Sequence, residues 1–139
     1  MKTLLFHCKR YVTKIVRISN RPGKINPEKI NRKRTFSNEC IVVLLTIEKR
    51  DKINKCCPEL KKEIVKMVRE VGHKNIVLLP FAHLSNKLAD SKKSLGGLNY
   101  LEKSLQEENF SVLRDHFGSH KSLLLDIYGH PGNARYREF

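Results

Sequence analysis

Short apolar runs separated by polar stretches dominate the chain, and their spacing predicts six strands and two helices. The run 40–47 is continuous and rich in β-branched residues, which is typical of a central strand buried on both faces. A second such run, 76–79, is bounded by Gly72 and Pro80. The predicted strands cover residues 2–8, 11–18, 39–48, 76–79, 110–113 and 121–128. The first two strands are expected to pair as a hairpin.

Two segments repeat apolar residues at helical spacing. In the first, residues 58–71, Pro58 suits the first turn and Gly72 suits the end of a helix. The second, residues 92–108, has leucines on one face, although Gly96 and Gly97 weaken its first turns. The order β-β-β-α-β-α-β-β predicts an α/β fold with mixed β-sheets and two main helices.

The segment between the second and third predicted strands, residues 19–37, shows neither the alternation of a strand nor the apolar spacing of a helix. It is rich in turn residues and basic residues, and it predicts an exposed loop that is the most mobile part of the chain. With 139 residues and 40% hydrophobic content, residues 1–139 are expected to form one domain. No apolar stretch approaches the roughly 20 residues that cross a bilayer, and the cysteines show neither disulfide nor zinc spacing. These features predict a cytoplasmic protein without a membrane partner.

Charge is the strongest signal in the composition. The 28 Lys and Arg residues outnumber the 14 Asp and Glu residues, which gives a formal net charge of +14. From Lys9 to Arg34, Glu28 is the only acid among many basic residues. Such a segment favours a polyanionic partner, because basic side chains neutralise phosphates and release their counterions. A solvated, solubilising surface is the alternative explanation.

Two titratable residues at strand ends are candidates for one pocket. His83 follows the strand 76–79, and Lys121 begins the last predicted strand. A histidine and a lysine near one carbonyl can orient water and stabilise a developing oxyanion. Each also has a simpler explanation, as a turn residue or as a solvated edge charge. The six histidines show no metal-ligand spacing and no phosphate-binding glycine loop is present, so neither a metal nor a cofactor is predicted.

Four sequence blocks occur in the order and spacing of a known family. They are Lys2-Thr3-Leu4-Leu5-Phe6-His7, Pro80-Phe81-Ala82-His83-Leu84-Ser85, Val112-Leu113-Arg114 with Phe117-Gly118 and Lys121, and Gly129-His130-Pro131. Together they resemble the N-terminal editing domain of archaeal threonyl-tRNA synthetases, over about residues 1–8 and 38–131. The resemblance implies a fold like that of D-aminoacyl-tRNA deacylases, a homodimer, and hydrolysis of serine mistakenly attached to threonine tRNA.

The resemblance also implies roles for individual residues. Lys121 and His83 would be the catalytic residues, with Lys121 supplying charge and His83 holding the substrate. The 2′-hydroxyl of the terminal adenosine would help to position the attacking water. The substrate-binding residues implied are Leu45, Thr46, Ile47, Pro80, Phe81, Ala82 and His120. The backbone of residues 45–47 and 80–82 would form rigid walls that admit serine and exclude threonine. The basic residues expected to bind tRNA are Arg10, Lys14, Arg17, Lys33 and Arg34.

The chain departs from the family pattern in three places. His120 replaces a tyrosine, Ala134 replaces a glutamate, and the segment from Lys9 to Arg34 is more basic than expected. The two replaced pocket groups could weaken the deacylase, alter its specificity, or leave a tRNA-binding or dimerisation module. A D-aminoacyl-tRNA deacylase is the other enzyme that the shared fold allows. Because the chain ends at Phe139, we expect a free-standing editing factor or an excised domain, with a threonyl-tRNA synthetase catalytic subunit as a candidate partner.

Overall fold

The strands of the chain form one curled mixed sheet, with two helices packed on it. The computed structural model describes residues 1–21, 23 and 25–139. The elements are β1 (Lys2–Ile18), β2 (Arg34–Thr46), α1 (Ile53–Val71), β3 (Asn75–Pro80), a 3-10 turn (Ala82–Leu84), α2 (Ser91–Gln106), β4 (Ser111–Arg114), β5 (Ser119–Ile127) and β6 (Ala134–Glu138). The six-stranded sheet has the order β4-β3-β2-β1-β5, and β6 pairs with β1. β2, β3 and β4 are parallel, whereas β1 is antiparallel to its three partners.

β1 is one continuous strand, where the sequence predicted a hairpin of two strands. It pairs with β2 along most of its length, while its first half pairs with β6 and its second half with β5. A register shift between Cys8 and Arg10 in the pairing with β5 marks a bulge. Cys8 and Tyr11, three residues apart, belong to the same buried cluster because of this bulge, although strict alternation would separate them. The predicted hairpin was therefore wrong.

Both predicted helices are confirmed, but α1 begins before Pro58, its predicted first turn. Pro58 lies inside the helix, where it cannot donate the usual backbone hydrogen bond. Ile53, Cys56 and Cys57 precede it and pack into the hydrophobic core. Their burial offsets the missing hydrogen bond, so the apolar stripe and not the proline decides where the helix begins.

Two further strands, β2 and β6, differ from the sequence prediction. β2 begins earlier than predicted, because Thr35 pairs with Thr13 of β1 and both threonines are buried. β6 was not predicted, since most of its side chains are polar. It is held to α1 by Arg135, which forms an ion pair of 3.4 Å with Glu63. Partners so far apart in the sequence leave no local pattern from which the strand could be predicted.

Both faces of the sheet are apolar, and the helices cover one of them. On that face, Ile41, Val43 and Leu78 of the strands pack with Leu60 and Leu101 of the helices. The other face carries the cluster Cys8, Tyr11, Cys40, Val42, Leu44, Val77 and Leu79. β2 and β3 are therefore buried on both faces, as predicted. Within the described residues, no helix is long and apolar enough to cross a membrane.

Candidate active site

A cleft of about 910 Å³ opens where β2 and β3 end, and β5 lines its other side. Nine of its lining residues are those that the sequence analysis selected: Leu45, Thr46, Ile47, Pro80, Phe81, Ala82, His83, His120 and Lys121. They come from three separate parts of the chain. The fold thus brings together the two candidate catalytic residues and all seven candidate substrate-binding residues.

The wall of the cleft at the end of β2 is buried and cross-linked. Leu45, Thr46 and Ile47 are each no more than 5% exposed. The Thr46 hydroxyl donates a hydrogen bond to the Phe81 carbonyl, and the Phe81 N–H donates one of 3.0 Å to the Leu45 carbonyl. These two bonds join the end of β2 to the segment that follows β3. A wall held in this way has little freedom to move outward for a larger substrate side chain.

Lys121 lines the cleft from inside β5, as the third residue of that strand and not the first residue of the last strand as predicted. Its Cα partner on β1 is Ile15, and the residue is half-buried. Burial lowers the pKa of its ammonium group, and the negative charges of Asp115 and Glu28 partly oppose this effect. Lys121 therefore combines a desolvated position with a charge that nearby carboxylates support.

The other two polar candidates lie at the rim of the cleft. His83 is exposed in the 3-10 turn after β3, and its ring contacts the Phe81 ring edge-on, with 5.1 Å between centroids. His120 is exposed on β5, opposite Arg17 of β1. Both rings can contact a ligand that enters from solvent.

Asp115 is a buried carboxylate beside the cleft that the sequence analysis missed. Its side chain accepts hydrogen bonds from the Tyr11 hydroxyl at 2.5 Å, the Thr13 hydroxyl at 2.6 Å and the His116 backbone N–H at 2.7 Å. Burial, followed by the charge of Asp115, raises the pKa of Tyr11, so this phenol stays protonated and donates. The three donors are distant in sequence or belong to the backbone, and no motif around Asp115 indicates them.

The basic segment between β1 and β2, for which the sequence predicts an exposed loop, also forms part of the cleft. Ser19, Arg21, Gly23 and Ile25 line the cleft. The Ser19 N–H donates a 2.9 Å hydrogen bond to the Gly118 carbonyl. Pro22 and Lys24, which belong to the predicted loop, lie outside the described residues.

Glu28 anchors the same segment to the sheet. Its carboxylate accepts two 2.8 Å hydrogen bonds from the Arg114 guanidinium and one of 3.0 Å from the Phe117 N–H. Burial disfavours the charged form of Glu28, but these hydrogen bonds outweigh it and hold the pKa of the carboxyl below its usual value. Gly118 has φ +84°, and a Cβ there would lie 2.8 Å from Pro27, so the segment packs directly on the turn before β5. The partners are more than 80 residues apart, which is why the sequence pattern could not predict this anchor.

The five basic residues expected to bind tRNA are all exposed: Arg10, Lys14, Arg17, Lys33 and Arg34. None of them lines the cleft in the part of the chain that the structure describes. Lys14 is the Cα partner of Arg34, and it lies on the opposite face of β1 from Thr13, which does line the cleft. Phe36, 67% exposed, lies two residues along β2 from Arg34.

The two replaced family positions lie in different places. His120 lines the cleft, as the resemblance implied. Ala134 is exposed at the start of β6, where its Cα partner is Phe6, and it is not among the described cleft residues. Of these two replacements, therefore, the one at His120 changes the described surface of the cleft and the one at Ala134 does not.

The sequence of the chain matches known threonine–tRNA ligases. A family model described as the archaea-specific editing domain of threonyl-tRNA synthetase matches residues 1–139. The threonine–tRNA ligase of Hyperthermus butylicus is 35% identical over 144 residues, covering 100% of this chain and 23% of the ligase. That of Thermofilum pendens is 32% identical over 134 residues, covering 94% of this chain and 21% of the ligase. The chain thus spans less than a quarter of the length of these two relatives.

The fold resembles a solved structure at low sequence identity. The c-Myc DNA unwinding element binding protein matches with a TM-score of 0.72, covering 100% of this chain and 99% of that chain, at 13% identity. This likeness concerns the fold alone, which is D-aminoacyl-tRNA deacylase-like. The fold class predicted from the sequence is confirmed.

Proposed function

The chain belongs to the family of archaea-specific editing domains of threonyl-tRNA synthetase, and we propose that it hydrolyses seryl-tRNA formed by mistake on threonine tRNA. The observation that carries this proposal is the cleft that holds both Lys121 and His83 beside the buried walls at the ends of β2 and β3. The aminoacyl ester at the 3′ end of the tRNA is the proposed substrate. We place the reaction in the cytoplasm, where aminoacyl-tRNA is used.

The need for editing follows from the small difference between the two amino acids. Serine and threonine differ by one methyl group, and a pocket gains only about 1–3 kcal/mol from a contact of that size. A second site that excludes the larger amino acid supplies the missing discrimination. Leu45, Thr46 and Ile47 suit this task because all three are buried, and hydrogen bonds join Leu45 and Thr46 to Phe81.

The proposed reaction is attack of water on the seryl carbonyl carbon. The bond between that carbon and the ribose oxygen breaks, a proton of the water passes to that oxygen, and serine and free tRNA are released. Protonated Lys121 would stabilise the negative charge that develops on the carbonyl oxygen, a contribution that often exceeds other catalytic effects. His83 at the rim would hold the substrate, and the ribose 2′-hydroxyl would help to position the water. The mechanism needs no metal or cofactor.

The basic face is the proposed binding surface for the tRNA backbone. Arg10, Lys14 and Arg34 are exposed on β1 and β2, and β5 is the outermost strand on that side of the sheet. An RNA strand bound there would pass around the edge of β5 to bring its 3′ end into the cleft. Lys33 and Arg17 extend the same positive surface. Two protein partners are also proposed on the family resemblance: a second copy of the chain and a threonyl-tRNA synthetase catalytic subunit.

The substrate assignment is tested with three esters on the same threonine tRNA: L-seryl, L-threonyl and D-seryl. Selective cleavage of the L-seryl ester supports proofreading of serine. Faster cleavage of the D-seryl ester would instead identify a chirality checkpoint. Binding of the tRNA without cleavage of any ester would identify a binding module, with His120 as the altered cleft residue.

A further inference from the structure

We propose that Asp115 is a positioning residue for Lys121, whose buried negative charge keeps the Lys121 ammonium protonated and available to the substrate. This inference deepens the proposed deacylase function and rests on it for its catalytic meaning. Asp115 itself does not touch the substrate. It acts on the lysine through space, from behind the cleft.

The Asp115 carboxylate is buried and held in place by hydrogen bonds. The residue is 1% exposed, and its backbone N–H donates a 2.9 Å hydrogen bond to the Leu78 carbonyl of β3. Tyr11 and Thr13 donate to one carboxylate oxygen, and the His116 N–H donates to the other. Three donors aimed at one carboxylate fix its orientation in the fold.

Strand register places Lys121 on the same side of the sheet as this network. Lys121 is opposite Ile15, and Thr13 is opposite Leu123, so these side chains share one face of the β1–β5 pair. Thr13 and Leu123 line the cleft together with Lys121. Thr13 therefore links the two groups, since it borders the cleft and also holds Asp115.

The arrangement leaves the lysine free. Among the described residues, no carboxylate oxygen lies within 4.0 Å of the Lys121 ammonium, so no direct ion pair occupies it. The Asp115 oxygens are already occupied by their three donors. Burial lowers the pKa of the Lys121 ammonium, and the charge of Asp115, followed by that of Glu28, opposes this effect without a direct ion pair. Lys121 can then donate its hydrogen bonds to the ester.

The test is an NMR titration of side-chain-labelled Lys121, in the unaltered protein and in two variants of the network. Asp115→Asn removes the charge and keeps the shape of the side chain. Tyr11→Phe removes one hydrogen bond to the same carboxylate and keeps the charge. We expect the pKa of Lys121 to fall by about one unit in Asp115→Asn and to stay close to the unaltered value in Tyr11→Phe. Equal shifts in both variants, or none in Asp115→Asn, would overturn the proposal.

A second measurement applies if Asp115→Asn does not fold. In the unaltered protein, the labelled carboxylate carbon of Asp115 should show a step in chemical shift at the pH where Lys121 loses its proton. The absence of that step would show that the two groups are not coupled and would overturn the proposal. Neither titration contains tRNA, so their results are independent of whether the chain deacylates seryl-tRNA.

The effect of Asp115 on catalysis should be visible in the pH dependence of kcat. Because Lys121 of Asp115→Asn loses its proton at lower pH, the ratio of unaltered to variant kcat should increase as the pH rises. For Tyr11→Phe the ratio should be independent of pH. A constant ratio for Asp115→Asn would assign the residue a purely structural role.

Discussion

Gly97 of α2 lies directly behind Ile47 at the end of β2. A Cβ at Gly97 would stand 2.4 Å from the Ile47 Cδ1 and 3.1 Å from the Ile53 Cδ1. The absence of a side chain in α2 therefore allows the cleft wall to pack against the helix. The two glycines that weaken the predicted helix therefore differ. The packing requires Gly97, whereas Gly96 has open space around it.

Alanine substitutions at these two glycines should have opposite effects. Gly97→Ala must push Ile47 or the helix aside, and we expect a loss of about 1–3 kcal/mol in the free energy of unfolding. Gly96→Ala meets nothing within 4 Å, and we expect a gain of roughly 0.5–1 kcal/mol from helix propensity. Urea denaturation measures both. Equal effects of the two substitutions would contradict the packing role of Gly97.

The anchor of the β1–β2 segment predicts a local loss of order. Glu28→Gln weakens the hydrogen bonds from Arg114 and Phe117, and we expect trypsin to cleave between residues 21 and 33 at least several-fold faster than in the unaltered protein. The matched control is Glu59→Gln, which removes an exposed pair with Lys62 on α1. Such pairs contribute about 0–1 kcal/mol, so the control should be cleaved like the unaltered protein. An unchanged pattern in Glu28→Gln would show that the segment is held by other contacts.

A histidine cluster away from the cleft predicts how stability depends on pH. His7 is 6% exposed, and its Nδ1 lies 2.7 Å from the His130 Nε2. Burial, followed by the charges of His73 and His130, lowers the pKa of His7. The unfolded chain therefore binds the proton more readily, and stability present above about pH 6.5 is lost as the pH falls through the lowered pKa.

Replacement of His7 should reduce this pH dependence. We expect the free energy of unfolding of His7→Gln to change less between pH 7 and pH 5 than that of the unaltered protein. His83→Asn, which removes an exposed histidine, should leave the slope as it is. An identical slope in the unaltered protein and His7→Gln would show that another group controls the acid sensitivity.

The basic face predicts the salt dependence of tRNA binding. The double variant Lys14→Ala/Arg34→Ala should reduce the magnitude of the negative slope of log K against log salt concentration by about 1.4 to 1.8, because each neutralised phosphate contributes about 0.7 on a single strand and about 0.9 on duplex DNA. Lys62→Ala/Lys66→Ala removes two exposed charges from α1 and should leave the slope unchanged. Filter binding at several salt concentrations measures both. Equal decreases would mean that net charge alone controls binding.

The sequence contained the local features of the fold and the site. The buried runs of β2 and β3, the apolar stripe of α1 and the position of His83 after β3 each follow from neighbouring residues. Family blocks then brought these positions into one expected pocket. The structure agrees with that grouping.

Features that depend on distant partners could not be predicted. Asp115 accepts hydrogen bonds from side chains of β1, and Glu28 accepts them from Arg114. Neither carboxylate therefore forms a motif with its sequence neighbours. The bulge in β1 can be inferred only from the packing, in which Cys8 and Tyr11 belong to one buried cluster. Pairing across the sheet supplies the information that local patterns lack.

The most direct test of the account is the deacylation rate of seryl-tRNA on threonine tRNA, with Lys121→Met and with Lys62→Met as the control on α1. We expect Lys121→Met to slow cleavage by roughly 100-fold or more, as for loss of a charged group that stabilises an oxyanion. Lys62→Met should cleave at the unaltered rate. Cleavage by Lys121→Met at the unaltered rate would contradict the proposed role of Lys121, and an unaltered protein that binds the tRNA but does not cleave it would contradict the deacylase function itself.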